Sequence, residues 1–364
     1  MKQQHSPIDG SQADVVLAGV EKRYGNTIAL RSMDLSIERG ELFALLGPSG
    51  CGKSTTLRLI AGFEQPSAGR VFVRGNDVTR IPSSKRNFGI VFQGFALFPH
   101  MTVAQNVGFG LRMRKLQKSE MKQRVMSALE LVGLDHLADR YPRQLSGGQQ
   151  QRAALARAIV IEPDVLVLDE PMSALDKILR DRMQVEIRRI QQRLKMTTIL
   201  VTHDQEEALG MADRVGVLNG GRIEQVGTPR SIYETPRTTF VATFLGASNL
   251  LTGKVEGYDG AQAAISVAGR VISIPRGGLE RGATVPLSLR PEKIRLCAHS
   301  PFMGKVKEMT YKGSTTYVEV DVNGVSFAIS GDSAQIRGQH CEVGNLVGLE
   351  WDARDVVVLE DVAS

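Results

Sequence analysis

Cysteine is scarce. Cys51, Cys297 and Cys341 are the three in 364 residues, and none forms a C-x-x-C pair. That argues against a disulfide framework or a zinc site and suits a reducing compartment. Long apolar runs are also missing: Val165 to Leu168 and Ile199 to Val201 fall far short of the roughly 20 residues that cross a bilayer. The start, Met1 to Pro7, has no apolar core or small-residue cleavage site, so export is not expected and residues 1–13 read as a mobile tail. Aromatics make up 5% of the chain, and the stretch beyond Gly246 lacks an obvious aromatic-rich basic stripe for stacking nucleic-acid bases. The net charge of +6 raises nucleic acid or an anionic membrane surface as partners. Yet Arg112 to Arg124 and Lys177 to Lys195 intersperse Glu120, Asp181 and Glu186, as solvated helix faces do. With 42% hydrophobic residues the chain can bury a core, and its length suits two domains.

What is present concentrates at Gly47-Pro48-Ser49-Gly50-Cys51-Gly52-Lys53-Ser54-Thr55, directly after the apolar run Leu42 to Leu46. A buried strand is expected to enter a glycine-rich turn and then a helix from Lys53. Gly47, Gly50 and Gly52 permit backbone conformations that point successive N–H groups at one spot, which suits phosphate. The helix adds its free amides and positive dipole end, Lys53 reaches the terminal phosphates, and the Ser54 hydroxyl is placed for Mg²⁺.

Strands are expected over Asp14–Val20, Asp34–Ile37, Val71–Val73 and Ile90–Phe92, the last ending at Gln93. Tyr24, in a turn, can stack on a nucleotide base or pack on its own turn. Phe95, Leu97 and Phe98 make the next loop apolar, which fits either a partner surface or a tucked-in satellite core. Helical patterning covers Thr102–Lys115 and Lys118–Val132. Ser146-Gly147-Gly148-Gln149 then opens a second glycine-bearing helix that lacks a lysine like Lys53. Val165 to Leu168 reads as a central parallel strand ending in Asp169 and Glu170. Strand alternation aims the two carboxylates apart, so Asp169 can hold metal while Glu170 orients and deprotonates water. Ser173 to Asp176 leads into a helix to Leu194, and the strand Thr197–Thr202 delivers His203.

Together these motifs resemble, in order and spacing, the nucleotide-binding subunit of ATP-binding cassette (ABC) transporters over residues 14–245, with a helical subdomain at about 94–162. The resemblance implies an α/β P-loop NTPase that hydrolyses ATP with Mg²⁺, in a head-to-tail dimer. Ser146, Gly147, Gly148 and Gln149, with Asp176, would close on nucleotide held by the partner copy. Ser54, Asp169 and Gln93 would serve the metal, Glu170 would be the general base, and Gln93 and His203 would sense or stabilise the γ-phosphate. Two membrane permease subunits and, indirectly, a solute-binding protein are the implied partners, at the cytoplasmic face of the membrane, with no nucleic acid. Residues 246–364 alternate short strands and turns and resemble the oligonucleotide-binding-like (TOBE) barrel of solute importers. Met309 to Ser314 leans toward the polyamine subclass, with iron(III) or sugar importers as alternatives. A nucleic-acid-associated cassette would carry a coiled-coil insertion or a second cassette, and neither is apparent.

Overall fold

The computed structural model describes residues 13–275, 277–339 and 341–360, so the expected tail lies outside the described residues except for Ala13. The chain divides into two compact units, Met1–Pro229 and Arg230–Ser364. The first opens with an antiparallel hairpin of β1 (Ala13–Tyr24) and β2 (Thr27–Glu38). Both strands outrun the apolar stretches that announced them. Backbone pairing continues to Tyr24 opposite Thr27, through register shifts that disrupt side-chain alternation. The fully buried β3 (Leu42–Leu46) then feeds α1 (Lys53–Ala61).

After β4 (Ala68–Val73), β5 (Asn76–Asp77) and β6 (Phe88–Val91) come α2 (Val103–Val107) and α3 (Phe109–Met113). The single helix expected over Thr102–Lys115 is interrupted at Gly108, where α4 (Lys118–Leu131) packs so closely that a Cβ would lie 3.2 Å from Val125. There follow α5 (Gly147–Ile159), β7 (Val165–Asp169), α6 (Lys177–Leu194), β8 (Thr197–Thr202), α7 (Gln205–Met211), β9 (Arg214–Asn219) and β10 (Arg222–Gly227).

Two sheets result. One is antiparallel, in the order β2-β1-β4-β5; the other runs β10-β9-β3-β8-β7-β6, parallel from β9 to β6. Alternate residues of the parallel strands, Phe43, Leu45, Val165, Val167, Ile199 and Val201, share a core with Leu17, Ile37 and α1. Burial on both faces explains why these strands read as unbroken apolar runs. Their common direction brings the ends of β3, β6, β7 and β8 to one edge of the sheet.

The second unit begins with the end of α8 (Pro229–Glu234) and α9 (Thr239–Phe244). Its strands are β11 (Asn249–Asp259), β12 (Gln262–Val267), β13 (Arg270–Pro275), β14 (Thr284–Leu289), β15 (Arg295–Cys297), β16 (Phe302–Lys312), β17 (Thr315–Val322) and β18 (Val325–Asp332). Helix α10 (Ser333–Gly338), β19 (Leu346–Glu350) and β20 (Val357–Val358) complete it. They form two five-stranded antiparallel sheets around one core, which includes Val255, Ile265, Leu287, Val306, Phe327 and Leu349. The sequence pattern does not reveal β11, because Gly253 takes one of its inward positions, where a Cβ would lie 2.8 Å from Leu287. The Arg290 guanidinium donates to the carbonyls of Tyr233, Ala242 and Ala247, fastening the two helices to this unit.

Candidate active site

The turn from β3 into α1 is set by backbone constraint. Gly50 and Gly52 lie at φ 78° and 109°, in the left-handed region where side chains are strained. Gly52 caps α1 with no side-chain hydrogen bond, and a Cβ there would lie 2.6 Å from Leu30. The buried Lys53 folds back over the turn, its Nζ donating to Gly47 O at 2.7 Å and Pro48 O at 2.9 Å. The ammonium is thereby held at the mouth of the loop. Burial pushes the Cys51 thiol pKa up. Ser54 is exposed at the start of the helix, and Ser49 and Thr55 flank the turn.

The carboxylates lie two strands away. β7 stops at Asp169, and Glu170 is already in a turn at φ 44°, its N–H donating to Val201 O at 2.9 Å. The strand thus ends one residue before Glu170, which sits in a left-handed turn. Gln93 Nε2 lies 3.3 Å from one Glu170 oxygen and His203 Nδ1 lies 3.1 Å from the other. Three residues from the ends of β6, β7 and β8 thus meet at one carboxylate. Asp169 has its carboxyl pushed above the usual range, first by burial and then by Glu170, with Arg58 and Lys53 opposing. The turn carrying His203 is braced by Asp204, which caps α7 and accepts from Arg180 at 2.8 Å. Buried Glu207 accepts from Thr202 Oγ1 at 2.7 Å, and its own carboxyl is raised by burial.

The second glycine-bearing helix start is built differently. Ser146 Oγ accepts from Gln149 N–H, and Gln149 Oε1 accepts from Ser146 N–H, a reciprocal capping box. Gly147 packs beside Leu175, and Asp176 caps α6 by accepting from Leu179 N–H. Tyr24, 46% exposed, donates its hydroxyl to Glu64, with Lys22 Nζ 4.9 Å from its ring centre. Its hydroxyl is thus anchored while much of its ring stays open to solvent.

Ligand fit follows from these donors. The turn has the amides and cation that polyphosphate needs. Ser54 and Asp169 are hard oxygen donors, and among the described residues no group of three or more His, Cys, Asp or Glu converges as in an all-protein metal site. Mg²⁺ suits such a sparse set, since it is commonly held by one or two protein ligands together with phosphate oxygens.

The description of the ABC transporter family matches residues 30–173, and that of the TOBE domain matches residues 287–359. The chain is 46% identical over 364 residues to the spermidine/putrescine import ATP-binding protein PotA of Frankia alni, covering 94% of this chain and 78% of that protein. It belongs to the ABC transporter family. The cassette is also 47% identical to the PotA protein of Thermobifida fusca, covering 95% of this chain and 93% of that one. Among solved structures, cbiO1 of Clostridium perfringens is 33% identical with a TM-score of 0.58, covering 61% of this chain and 91% of that one. The dimeric, ADP- and Pi-bound cassette MJ0796 is 31% identical with a TM-score of 0.53, covering 59% of this chain and 99% of that one. This cassette binds ATP, and it is an ATP-hydrolysing subunit of an import complex.

Arg157 and Asn106 were not legible as site residues. Arg157 donates to the carbonyls of Phe95 and Ala96, and the fully buried Asn106 holds Phe98 through both its N–H and its carbonyl. Phe95, Leu97 and Phe98 are consequently half-buried rather than exposed, with Phe98 4.6 Å from the Phe109 ring. One signal for Arg157 was available, a cation set among Ala153, Ala154, Leu155, Ala156 and Ala158 on a helix bound to be buried.

Proposed function

We propose that this cassette powers the import of polyamines, spermidine or putrescine, and that Glu170 is the base of its ATPase reaction. The observation that carries the catalytic assignment is the Glu170 carboxylate approached by Gln93 and His203 at the sheet edge where β3 also ends. Lys53 and the loop amides hold the phosphates. Glu170 accepts a proton from the water that attacks the γ-phosphorus, and the bond to the β-phosphate oxygen breaks, leaving ADP and phosphate. Gln93 and His203 fix the carboxylate's orientation and report on the γ-phosphate. Ser54, Asp169 and Gln93 would hold Mg²⁺, which would supply charge neutralisation to the phosphates. Ser146 to Gln149 and Asp176 complete the site of a partner copy in a head-to-tail dimer, and Tyr24 lies against the base.

The membrane permease subunits are proposed to dock at the Phe95 to His100 loop on the cytoplasmic face, with a solute-binding protein on the other side. Helix α2 supports this placement. It anchors Phe98 through Asn106 and also walls a cavity of about 550 Å³ lined by Ala104, Gly108, Met121, Val125 and Met126. The solute class rests on the PotA relatives. Reconstitution with the permease subunits and solute-binding protein tests it: ATP-dependent uptake of labelled putrescine or spermidine is expected, and none with Glu170→Gln. Uptake of iron(III) or sugar without polyamine uptake would overturn the solute assignment.

A further inference from the structure

We propose that Arg157 is a positioning residue that ties the Gln93 loop to the helix behind Ser146. It lies on α5 about 16 Å along the axis from that helix start. Its Nη1 donates to Ala96 O at 2.7 Å, its Nη2 donates to Phe95 O at 2.9 Å, and the guanidinium carbon lies 5.7 Å from the Phe98 ring centre. One planar fork thus holds two successive carbonyls and one aromatic face, a set of contacts that a lysine's point charge does not reproduce.

The held residues would not keep this shape unaided. Phe95 and Ala96 lie at φ 58° and 51°, conformations that are strained outside glycine and persist where surrounding structure fixes them. Phe95 N–H also bonds back to Phe92 O, closing a turn around Gln93, whose amide meets Glu170. A continuous set of contacts therefore runs from the Glu170 carboxylate through Gln93 and its loop to Arg157, and along α5 to the Ser146 cap.

On the head-to-tail reading above, the two ends of this connection serve different nucleotides. Gln93 reports on the one bound by its own phosphate loop, and Ser146 closes on the one bound by the partner. Arg157 then transmits a displacement of the Gln93 loop to the opposite site. Its removal should impair the hydrolytic step more than nucleotide binding.

The test is a double-mutant cycle on the full chain, using Arg157→Met and Gln93→Ala, with kcat, KM for ATP and melting temperature measured for each. Arg157→Met alone is expected to lower kcat about tenfold with KM changed less than about twofold. In the Gln93→Ala background the same substitution should cost less than about twofold more, since its route to Glu170 is already cut. Arg157→Lys should recover only part of the rate. Equal losses in both backgrounds, or a raised KM at unchanged kcat, would overturn the proposal. Should Arg157→Met not fold, Arg157→Lys carries the cycle; failure of both to fold makes the residue structural and overturns it too. Coupling that persists when subunit mixing gives no complementation would leave the Arg157 tie standing and remove the head-to-tail reading instead.

Discussion

Helices α1 and α5 both start at glycines on the same unit, and their starts are finished in opposite ways. Gly52 begins α1 with no side-chain cap, and Lys53 waits over the turn. Ser146 begins α5 with its own hydroxyl and Gln149 already satisfying each other. The first start has donors free for an anion on its own. On the proposed head-to-tail reading, the second would have to exchange at least part of its internal cap for phosphate, a cap worth typically about 1 kcal/mol. The proposed order of events follows from that inequality: nucleotide binds at α1 first, and α5 engages only when a second copy closes.

Glu170→Gln should sharpen this contrast most, because it permits both starts to engage ATP without discharging it. Hydrolysis is expected to fall about 10²- to 10⁴-fold, while ATP binding persists and an ATP-dependent dimer accumulates on gel filtration. Near-normal turnover would remove Glu170 from the mechanism. Mixing Lys53→Ala with Ser146→Arg subunits breaks the two starts separately. Each parent should lose about a hundredfold or more in activity, given the charge-assisted bonds and closure that it forfeits. The mixed dimer should regain one intact site, detected by trapping of a fluorescent ATP analogue; no trapping above the parents would count against shared sites.

A smaller effect is expected from Ser146→Ala, which removes the cap alone. The melting temperature should drop by about 2–4 °C, corresponding to about 1 kcal/mol in a domain of this size. A rate loss in excess of that destabilisation, measured well below the melting point, separates the phosphate role of Ser146 from its capping role. The smallest shift concerns Asp169, whose folded-state pKa is raised above its ordinary 3.8 by burial and by Glu170. Stability linked to this carboxyl is full below the ordinary value and is lost as pH rises through the raised one. Without Mg²⁺, Asp169→Asn should melt with the wild type near pH 4 and increasingly above it toward pH 7. A gap that narrowed as pH rose would contradict that origin.

Much of the site could be read from residue order because backbone geometry limits which residues a phosphate turn accepts, and because Asp169, Glu170 and His203 interrupt apolar strand ends. The bonds of Arg157 to Phe95 and Ala96 could not. They join a side chain to carbonyls about sixty positions away, and carbonyls carry no residue signature. In the second unit, glycine at the inward position 253 concealed β11, and in the first Gly108 separates α2 from α3 where one helix was anticipated.

Gly47 has a consequence for interpreting divergent copies of this cassette. A Cβ at that position would overlap Leu218 O and lie 2.7 Å from Cys51 Sγ, whereas Gly50, at φ 78°, has nothing within 4 Å of its imagined Cβ. Packing against the neighbouring strand demands the first glycine whether or not phosphate ever binds; the second is required only by the shape of the turn. A paralogue that had ceased to use ATP would thus be under pressure to retain the first long after the second could drift. In such a chain, loss at the Gly50 position would be the earlier mark of a silent nucleotide site.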